Sequence, residues 1–247
     1  MHHELKTRYL EALQGLDPQL LGNERKLADL SGLFLSGAPI EIAQARQRVM
    51  VVGSETRAWI NTTAFSNIED YVDFAMSRHR EFFDKELNAS NDRGKSFHNL
   101  TRALSKVVDR RGLIYSNLFC FSWKGGSPLR TAPELLNIIQ HYSKRLLEVQ
   151  IHHFAPDIII FANGMNSVAQ RRAFFPISGP DQVCTGGKDY SSQGIANRQL
   201  WEFQLYCRIR CFRIQHPSSR SPEAPKARRF LLDLLAKELG ASAPDSE

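Results

Sequence analysis

The sequence predicts an α/β protein with a mainly parallel central sheet. Four short apolar runs carry this prediction, and helical or polar stretches separate them along the chain. Near-continuous apolar strands with helical spacers are typical of a parallel sheet that is covered by helices on both faces. We therefore expect three layers, α/β/α, around a four-stranded sheet. The four runs are 48–53, 113–122, 157–162 and 208–215.

The elements before the second apolar run are the least regular. Residues 1–47 contain no strand-like run and predict two or three short helices packed on the side of the sheet. The first run, 48–53, is apolar and ends in Gly53, which suits a turn at the end of a strand. The second run, 113–122, is rich in β-branched and aromatic residues, which favour strands.

A crossover helix is predicted between the second and third runs. Thr131, Pro133 and Glu134 supply a capping-type residue, an early proline and an early acid, which mark the start of a helix. Apolar residues then recur at helical spacing until Ala155 and Pro156 end the pattern. These residues are Leu135, Ile139, Tyr142, Leu146 and Val149.

The C-terminal part of the chain predicts one more helix and two irregular segments. A helix follows Pro225, with Phe230, Leu231, Leu234, Leu235 and Leu239 on one face. Residues 175–198 show no periodicity, and a loop of that length in a compact domain is usually functional or disordered. We expect this loop to flank the functional site. The tail 240–247 reads as solvated, and the whole chain, 1–247, is expected to form a single domain.

Composition excludes several classes of protein. The chain has 247 residues and a formal net charge of +6, with 42% hydrophobic and 23% charged residues. These values are close to the globular average, so neither intrinsic disorder nor a disulfide-stabilised miniprotein is expected. No apolar run approaches the roughly 18 residues of a membrane helix, and the N-terminus lacks the apolar core of a signal peptide. We expect a cytoplasmic monomer without membrane contact.

The four cysteines do not indicate a disulfide framework or a metal site. Cys120, Cys184, Cys207 and Cys211 are irregularly spaced and form no C-x-x-C pair. Cys207 and Cys211 fall in the alternating stretch 205–214, where they would face the same side of one strand. We therefore predict buried thiols and no metal.

The residues that follow each apolar run are the candidates for chemistry. In an open parallel sheet, ligands bind beyond the carboxyl ends of the strands. An acid, an amide, a Gly/Ser turn that enters a helix and a histidine are expected to meet at this edge. The segments are Gly53-Ser54-Glu55-Thr56-Arg57, Ser116-Asn117-Leu118, residues 163–170 and His216-Pro217-Ser218-Ser219-Arg220-Ser221.

Together these segments resemble the motifs of the uracil-DNA glycosylase superfamily, in the order of that family and from about residue 48 to 239. Residues 216–221 resemble its H-P-S-P-L-S loop, and residues 53–57 stand where the family has G-Q-D-P-Y. Ala64-Phe65-Ser66 is similar to its A-F-S, after a shorter intervening loop. Residues 116–118 resemble its L-N or T-N strand, and residues 164–170 its W-G-x-x-A-Q turn.

The resemblance implies cleavage of an N-glycosidic bond by two residues. This reaction builds positive charge on the sugar and negative charge on the departing base, so an anion and a hydrogen-bond donor are needed at its two ends. Glu55 matches the acidic position of the family, where it would orient or deprotonate water and stabilise the cationic sugar. The family has Asp there, so the side chain of this protein is one methylene longer. His216 matches the histidine that donates to the base carbonyl.

The resemblance also implies a pocket for a flipped base. Asn117 matches the asparagine that reads the base, and its amide offers both a donor and an acceptor. Because the amide can turn over, this residue alone does not distinguish uracil from cytosine. Phe65 matches the aromatic residue that stacks on the base. Ser54 and Arg57 complete the base-binding group, and Arg57 replaces the tyrosine that blocks the 5-position of the base in uracil-specific enzymes.

DNA contacts are assigned to loops and basic residues. Arg220 replaces the leucine that fills the hole left by the extruded nucleotide, and a guanidinium can also stack there. Backbone amides and small hydroxyls near a helix N-terminus, with nearby lysines and arginines, would bind phosphates. The expected DNA-binding residues are Gly164, Asn166, Ser167, Ser218, Ser219, Arg220 and Lys124, with further attraction from Lys226, Arg228 and Arg229.

The sequence therefore predicts a monofunctional DNA glycosylase that needs no cofactor, acts on single- or double-stranded DNA and leaves an abasic site. The open 5-position favours a 5-modified pyrimidine such as the glucosylated hydroxymethylcytosine of phage DNA, which a bacterial anti-phage subgroup of the superfamily removes. Three alternatives stay open: a uracil-DNA glycosylase of base-excision repair, a catalytically silent DNA-binding module, and a nucleotide-handling enzyme. The last lacks support, because neither G-x-x-x-x-G-K-S/T nor G-x-G-x-x-G occurs.

Overall fold

The computed structural model describes residues 2–21, 29–56, 59, 65 and 67–239, and it shows an α/β fold with a six-stranded mixed sheet. The order of the strands in the sheet is β2-β1-β3-β6-β5-β4. Their bounds are β1 Val49–Gly53, β2 Leu113–Asn117, β3 Ile158–Phe161, β4 Cys184–Lys188, β5 Leu200–Leu205 and β6 Ile209–Ile214.

The four predicted apolar runs all contain strands, and these are four neighbouring strands of the six, β2, β1, β3 and β6. β1 pairs with β3 and β3 pairs with β6, both in parallel. Val52 is level with Phe161, and Phe161 is level with Arg213, so these three strands stop at the same edge. Every residue of β1, β2 and β3 is buried, which explains the continuous apolar sequence of β1 and β3.

The prediction of a mainly parallel four-stranded sheet is wrong, because the sheet has six strands of mixed orientation. β5 pairs with β6 in antiparallel orientation, and β4 pairs with β5 in the same way. The turn between β5 and β6 places Tyr206 at φ 53° and Cys207 at φ 55°. Hairpin turns with two positive φ values normally show Asn or Gly, so the sequence carries no hairpin signal here. As a result, Cys207 lies exposed in the turn rather than buried in a strand, whereas Cys211 is buried as predicted. Cys120 and Cys184 are buried as well.

The segment 175–198 is not a continuous loop as predicted, because it contains the strand β4. Gly186 has φ +66°, and the register of β4 shifts between Thr185 and Lys188. A Cβ atom at Gly187 would lie 2.3 Å from the ring of Trp201, so this glycine lets the β5 indole pack across the strand. Glycines that serve a bulge and a close contact look like loop residues in the sequence.

Six α-helices accompany the sheet in the described part of the chain. The predicted crossover helix is α4, which ends at a left-handed Ala155, and the predicted C-terminal helix is α6. At 2–21 and 29–47, the described residues of the N-terminal segment, the structure has one α-helix, α1, and two 3-10 turns at 18–20 and 42–44. The helices are α1 His2–Ala12, α2 Ile68–Asn88, α3 Ser96–Leu104, α4 Pro133–Phe154, α5 Val168–Phe174 and α6 Ala224–Leu239. In the described ranges, none of these helices combines the length and apolar character needed to span a bilayer.

The chain divides into two compact units by its internal contacts. The first unit contains residues 1–38, 53–83 and 115–155, and in it α1 packs on α4. The second unit contains residues 39–52, 84–114 and 156–247, and it holds the paired strands β3 to β6. The tail 240–247 lies outside the described residues.

Gly112, directly before β2, provides a test of the packing that leads into this strand. A Cβ atom at Gly112 would lie 1.8 Å from the backbone oxygen of Gln47, so backbone must move to accept it. We expect Gly112→Ala to lower the free energy of unfolding by about 3 kcal/mol or more, measured by urea denaturation. The control is Gly94→Ala, where the nearest atom is 3.4 Å away and a change within about 0.5 kcal/mol is expected. Equal effects of the two substitutions would contradict this packing.

Candidate functional site

In the first unit, the loops that follow β1 and β2 are tied together by backbone hydrogen bonds. The amide of Leu118 donates to the carbonyl of Gly53, and the amide of Phe119 donates to the carbonyl of Ser54, each at 2.9 Å. The two bonds advance in the same direction along both segments. The predicted residues Ser54 and Asn117 therefore belong to adjacent segments whose backbones are fixed to each other.

Glu55 lies in the first of these loops with an unusual carboxylate. The residue is half-buried, and its Oε2 atom is buried without a hydrogen-bond partner. The neighbouring Thr56 also has a buried hydroxyl without a partner. Burying a polar group without a partner costs about 1–3 kcal/mol, so native proteins seldom do so without a functional reason. The loop after β1 thus contains two buried polar atoms that have no hydrogen-bond partner among the described residues.

Asn117 ends β2 and is 5% exposed. Its Nδ2 atom donates to the hydroxyl of Tyr115 at 3.0 Å. Burial raises the pKa of Tyr115, and the negative charge of Glu55 raises it further, so the phenol stays protonated. That electrostatic effect connects Glu55, Tyr115 and Asn117 within one unit. The sequence analysis identified the acid and the amide by their motif positions. It missed the tyrosine, which has no counterpart among the motifs.

Phe65, the predicted base-stacking residue, packs against aromatic residues of α2. Its ring centroid is 5.0 Å from that of Tyr71 and 5.1 Å from that of Phe74. It also borders a cavity of about 700 Å³ in the first unit, whose other walls include Leu13 and Leu16. These contacts are packing contacts, and the role of Phe65 as a platform for a base stays a prediction.

Of two further predicted residues, Lys124 and Arg57, only Lys124 lies within the described part of the chain. Lys124 is exposed in a tight turn. Its Nζ atom lies 3.3 Å from the carboxylate of Asp29, and the two side chains form an ion pair. Arg57 lies outside the described residues, as do Ala64 and Ser66. The predicted open 5-position therefore rests on the sequence.

In the second unit, the turn after β3 contacts the loop after β6. The amide of Gly164 donates to the carbonyl of Ile214 at 3.2 Å, and Gly164 adopts φ +72°. A Cβ atom there would lie 3.1 Å from the backbone nitrogen of His216, which is tighter than nearly all such contacts. Glycine is required at this position both for its φ angle and for the close approach. Two of the predicted motifs are thus in direct contact.

His216 is half-buried, and its ring is oriented by the residues that follow it. The backbone N–H of Ser218 donates to Nδ1 at 3.2 Å, and the Ser218 hydroxyl lies 2.7 Å from the same atom. A backbone N–H can only donate, so Nδ1 is the acceptor and the hydrogen of the neutral ring is on Nε2. The loop therefore prepares Nε2–H as a hydrogen-bond donor.

The remaining predicted DNA-binding residues of the second unit fall into two groups. Ser218 and Arg220 are exposed, as is Asn166 in the other turn. Ser167 is buried, and its hydroxyl donates to the carbonyl of Asn163 at 3.2 Å, so the hydroxyl serves the turn itself. The Ser219 hydroxyl accepts from the amide of Ser221 at 3.3 Å. Asn166 and the 218–220 loop are therefore the surface that could meet a phosphate.

Residues 197–199 are fixed beside the His216 loop by a buried cation. Arg213 is 4% exposed, and its guanidinium donates to the backbone oxygens of Asn197 and Arg198 at 2.8 and 2.7 Å. Burial lowers the pKa of Arg213 to about 10. The amide of Gln199 in turn donates to the hydroxyl of Ser221 at 2.9 Å. Gln199, directly after the segment 175–198, is thus bonded to the 216–221 loop, and the expectation that the segment flanks a functional site stays a prediction.

Asn163 begins the predicted segment 163–170, but the sequence analysis assigned it no role. It follows β3 by two residues and is 4% exposed, yet neither its Nδ2 nor its Oδ1 atom has a hydrogen-bond partner. The sequence offered one signal, since a polar residue directly after a buried apolar strand marks the ligand edge of a parallel sheet. Its lack of partners became visible only in three dimensions.

Among the described residues, no cluster of three or more His, Cys, Asp or Glu side chains has the arrangement to hold a metal ion. The first unit supplies a carboxylate and an amide that is hydrogen-bonded to a phenol, and the second unit supplies an imidazole with a fixed donor atom. No protein-family model matches the chain, and no curated protein matches its sequence.

The lack of partners at Asn163 predicts an unusual response to substitution. Asn163→Leu replaces the amide by an apolar side chain of similar size and removes two unsatisfied polar atoms. We expect the free energy of unfolding to stay constant or to rise by about 1 kcal/mol, measured by urea denaturation.

Ser143→Ala is the matched comparison, because Ser143 is also buried but accepts from the amide of Cys120 at 3.0 Å. Its loss leaves a buried N–H without a partner, and a decrease of about 1–3 kcal/mol is expected. A decrease of the same size for Asn163→Leu would show that its amide is a structural group.

Proposed function

We propose that this protein is a monofunctional DNA glycosylase that binds a flipped pyrimidine nucleotide and hydrolyses its N-glycosidic bond. The finer fold assignment, a three-layer domain like that of uracil-DNA glycosylases, is part of the same proposal. One observation carries it. Val52, Phe161 and Arg213 are level in adjacent parallel strands of the second unit, and three of the motif segments come directly after these strands in the sequence.

Glu55 is assigned to the sugar. Departure of the base leaves an oxocarbenium-like sugar, which a nearby carboxylate stabilises and which a water molecule attacks. The Oε2 atom is buried and has no hydrogen-bond partner among the described residues, which supports this assignment because such an oxygen is available to a cation or to water. In this role Glu55 orients the water and accepts its proton as the new C–O bond forms.

His216 is assigned to the base. Negative charge gathers on the pyrimidine carbonyl oxygen as the glycosidic bond breaks, and a fixed donor stabilises it where water is excluded. The Ser218 amide holds Nδ1 as an acceptor, which supports Nε2–H as that donor. Asn117 would read the edge of the same base, while Asn166, Ser218, Ser219 and Arg220 would bind the DNA backbone or fill the gap in the duplex.

Activity is tested by incubating duplex DNA with the protein and cleaving abasic sites with alkali. The wild type is expected to produce strand breaks at the modified nucleotide, and mass spectrometry is expected to find the free base. Glu55→Gln and His216→Asn should each lower kcat by about 100-fold or more, because each removes a preorganised electrostatic group.

Exposed side chains provide the controls for these two variants. Glu41→Gln and His141→Asn make the same chemical changes at exposed positions and should leave kcat unchanged. Retained DNA binding by a wild type that releases no base would instead support a catalytically silent binding module. Equal activity of Glu55→Gln and Glu41→Gln would contradict the assigned role of the carboxylate.

For the substrate, we propose a 5-modified pyrimidine such as glucosylated hydroxymethylcytosine. Arg57 in the sequence position of a blocking tyrosine supports this choice. We expect the wild type to release the glucosylated base from duplexes in preference to uracil, thymine, cytosine and 5-hydroxymethylcytosine. Arg57→Tyr restores the wall and should lower release of the glucosylated base by at least about tenfold, because a steric clash opposes the 5-substituent. Release of uracil alone by the wild type would contradict the modified-base proposal.

A further inference from the structure

Recognition of a pyrimidine by an asparagine depends on which way its amide points. Uracil presents N3–H and the C4 carbonyl at its edge, whereas cytosine presents an acceptor at N3 and an amino group at C4. The asparagine amide complements either edge after turning by 180°, because Oδ1 accepts and Nδ2 donates. Selective reading therefore requires a second group that holds the amide of Asn117 in one orientation.

Tyr115 is a rigid group beside Asn117. It is 4% exposed, and its ring stacks on His79 with centroids 5.3 Å apart and an interplanar angle of 29°. Phe34 and Phe83 contact the other parts of the ring, at centroid distances of 5.2 and 5.4 Å. With the ring held on several sides, the hydroxyl oxygen has a fixed position.

His79 gives this ring an uncharged support. Burial lowers the pKa of His79 to about 3, so the imidazole is neutral at physiological pH. Its Nδ1 atom accepts from the amide of Gly37 at 3.0 Å, which fixes the ring plane. Tyr115 is anchored through its backbone as well, because its carbonyl accepts from the hydroxyl of Ser36 at 2.6 Å.

The hydrogen bond between the two residues shows which side of the amide faces the phenol. Nδ2 of Asn117 donates at 3.0 Å, so the phenol oxygen accepts and its own hydrogen points away from the amide. Turning the amide over would place Oδ1 toward the phenol oxygen and would lose this bond unless the phenol also reoriented to donate.

We propose that Tyr115 is a specificity-determining positioning residue, which holds Asn117 with Nδ2 toward the phenol and Oδ1 away from it. The inference rests on the proposed function and deepens it. A pinned amide matches only one of the two pyrimidine edges and meets the other with donor against donor and acceptor against acceptor. Tyr115 thus lets the protein choose between a uracil-type and a cytosine-type base without touching the base.

Tyr115→Phe tests the inference, because it removes the hydroxyl and keeps the ring. Catalytic efficiency, kcat/KM, is measured on duplexes with the best base of the wild type and on its uracil-type or cytosine-type counterpart. The ratio of the two efficiencies is expected to fall by about tenfold, the worth of one orienting hydrogen bond. An unchanged ratio, with both efficiencies lowered equally, would overturn the inference.

Tyr9→Phe is the matched control. Tyr9 is a fully buried tyrosine of the same unit, and its hydroxyl donates to the carbonyl of Ser36 at 2.7 Å. This variant also loses one buried hydrogen bond, so it reports the effect of lost stability alone. We expect its efficiency ratio to equal that of the wild type, and a tenfold fall here would overturn the specific role of Tyr115.

A second background separates orientation from other effects. In Asn117→Asp both side-chain oxygens accept, so turning the group over changes nothing. Adding Tyr115→Phe to Asn117→Asp is expected to leave the efficiency ratio of that variant unchanged, and a tenfold change would overturn the orientation argument. The proposed function fails separately, since in that case the wild type releases no base from any duplex.

Discussion

The parallel register of β1, β3 and β6 is the constraint on which the proposed chemistry depends. β1 and β3 are buried and apolar throughout, so they hold no catalytic groups themselves. The candidate polar residues come after the strand ends, and Val52, Phe161 and Arg213 are level there. A slip of one residue would turn every side chain to the other face, and the fully buried pattern of β1 and β3 resists that slip.

Some buried polar groups in this protein have hydrogen-bond partners, and others have none among the described residues. Arg213 is buried but donates to two backbone oxygens, and the buried Ser143 serves the amide of Cys120. Glu55 and Asn163 follow strand ends and keep buried polar atoms without a partner. Satisfied groups of the first kind hold loops in place, whereas the second kind lowers stability. Such a cost is tolerated where a polar group acts on something other than its own fold.

The sequence pattern correctly predicted four buried strands and two amphipathic helices. The four apolar runs and helices α4 and α6 were identified because burial and helical spacing leave a direct mark in the sequence. The hairpin between β5 and β6 was missed because Tyr206 and Cys207 adopt positive φ without the residues that usually do so. Motif positions indicated Glu55, Asn117 and His216. Tyr115 and Asn163 were given no role, because only the structure shows their hydrogen bonding. Tyr115 accepts a hydrogen bond from Asn117, whereas the side chain of Asn163 has no partner among the described residues.

Within the proposed function, a buried phenol connects the groups assigned to the sugar and to the base. Nδ2 of Asn117 donates to the Tyr115 hydroxyl, and the pKa of this hydroxyl is raised by burial and by the negative charge of Glu55. The phenol therefore stays neutral, with an oxygen that accepts from the amide. An amide held by a single hydrogen bond keeps its orientation only if the group that holds it is rigid. The stacked rings of Tyr115 and His79 provide that rigidity.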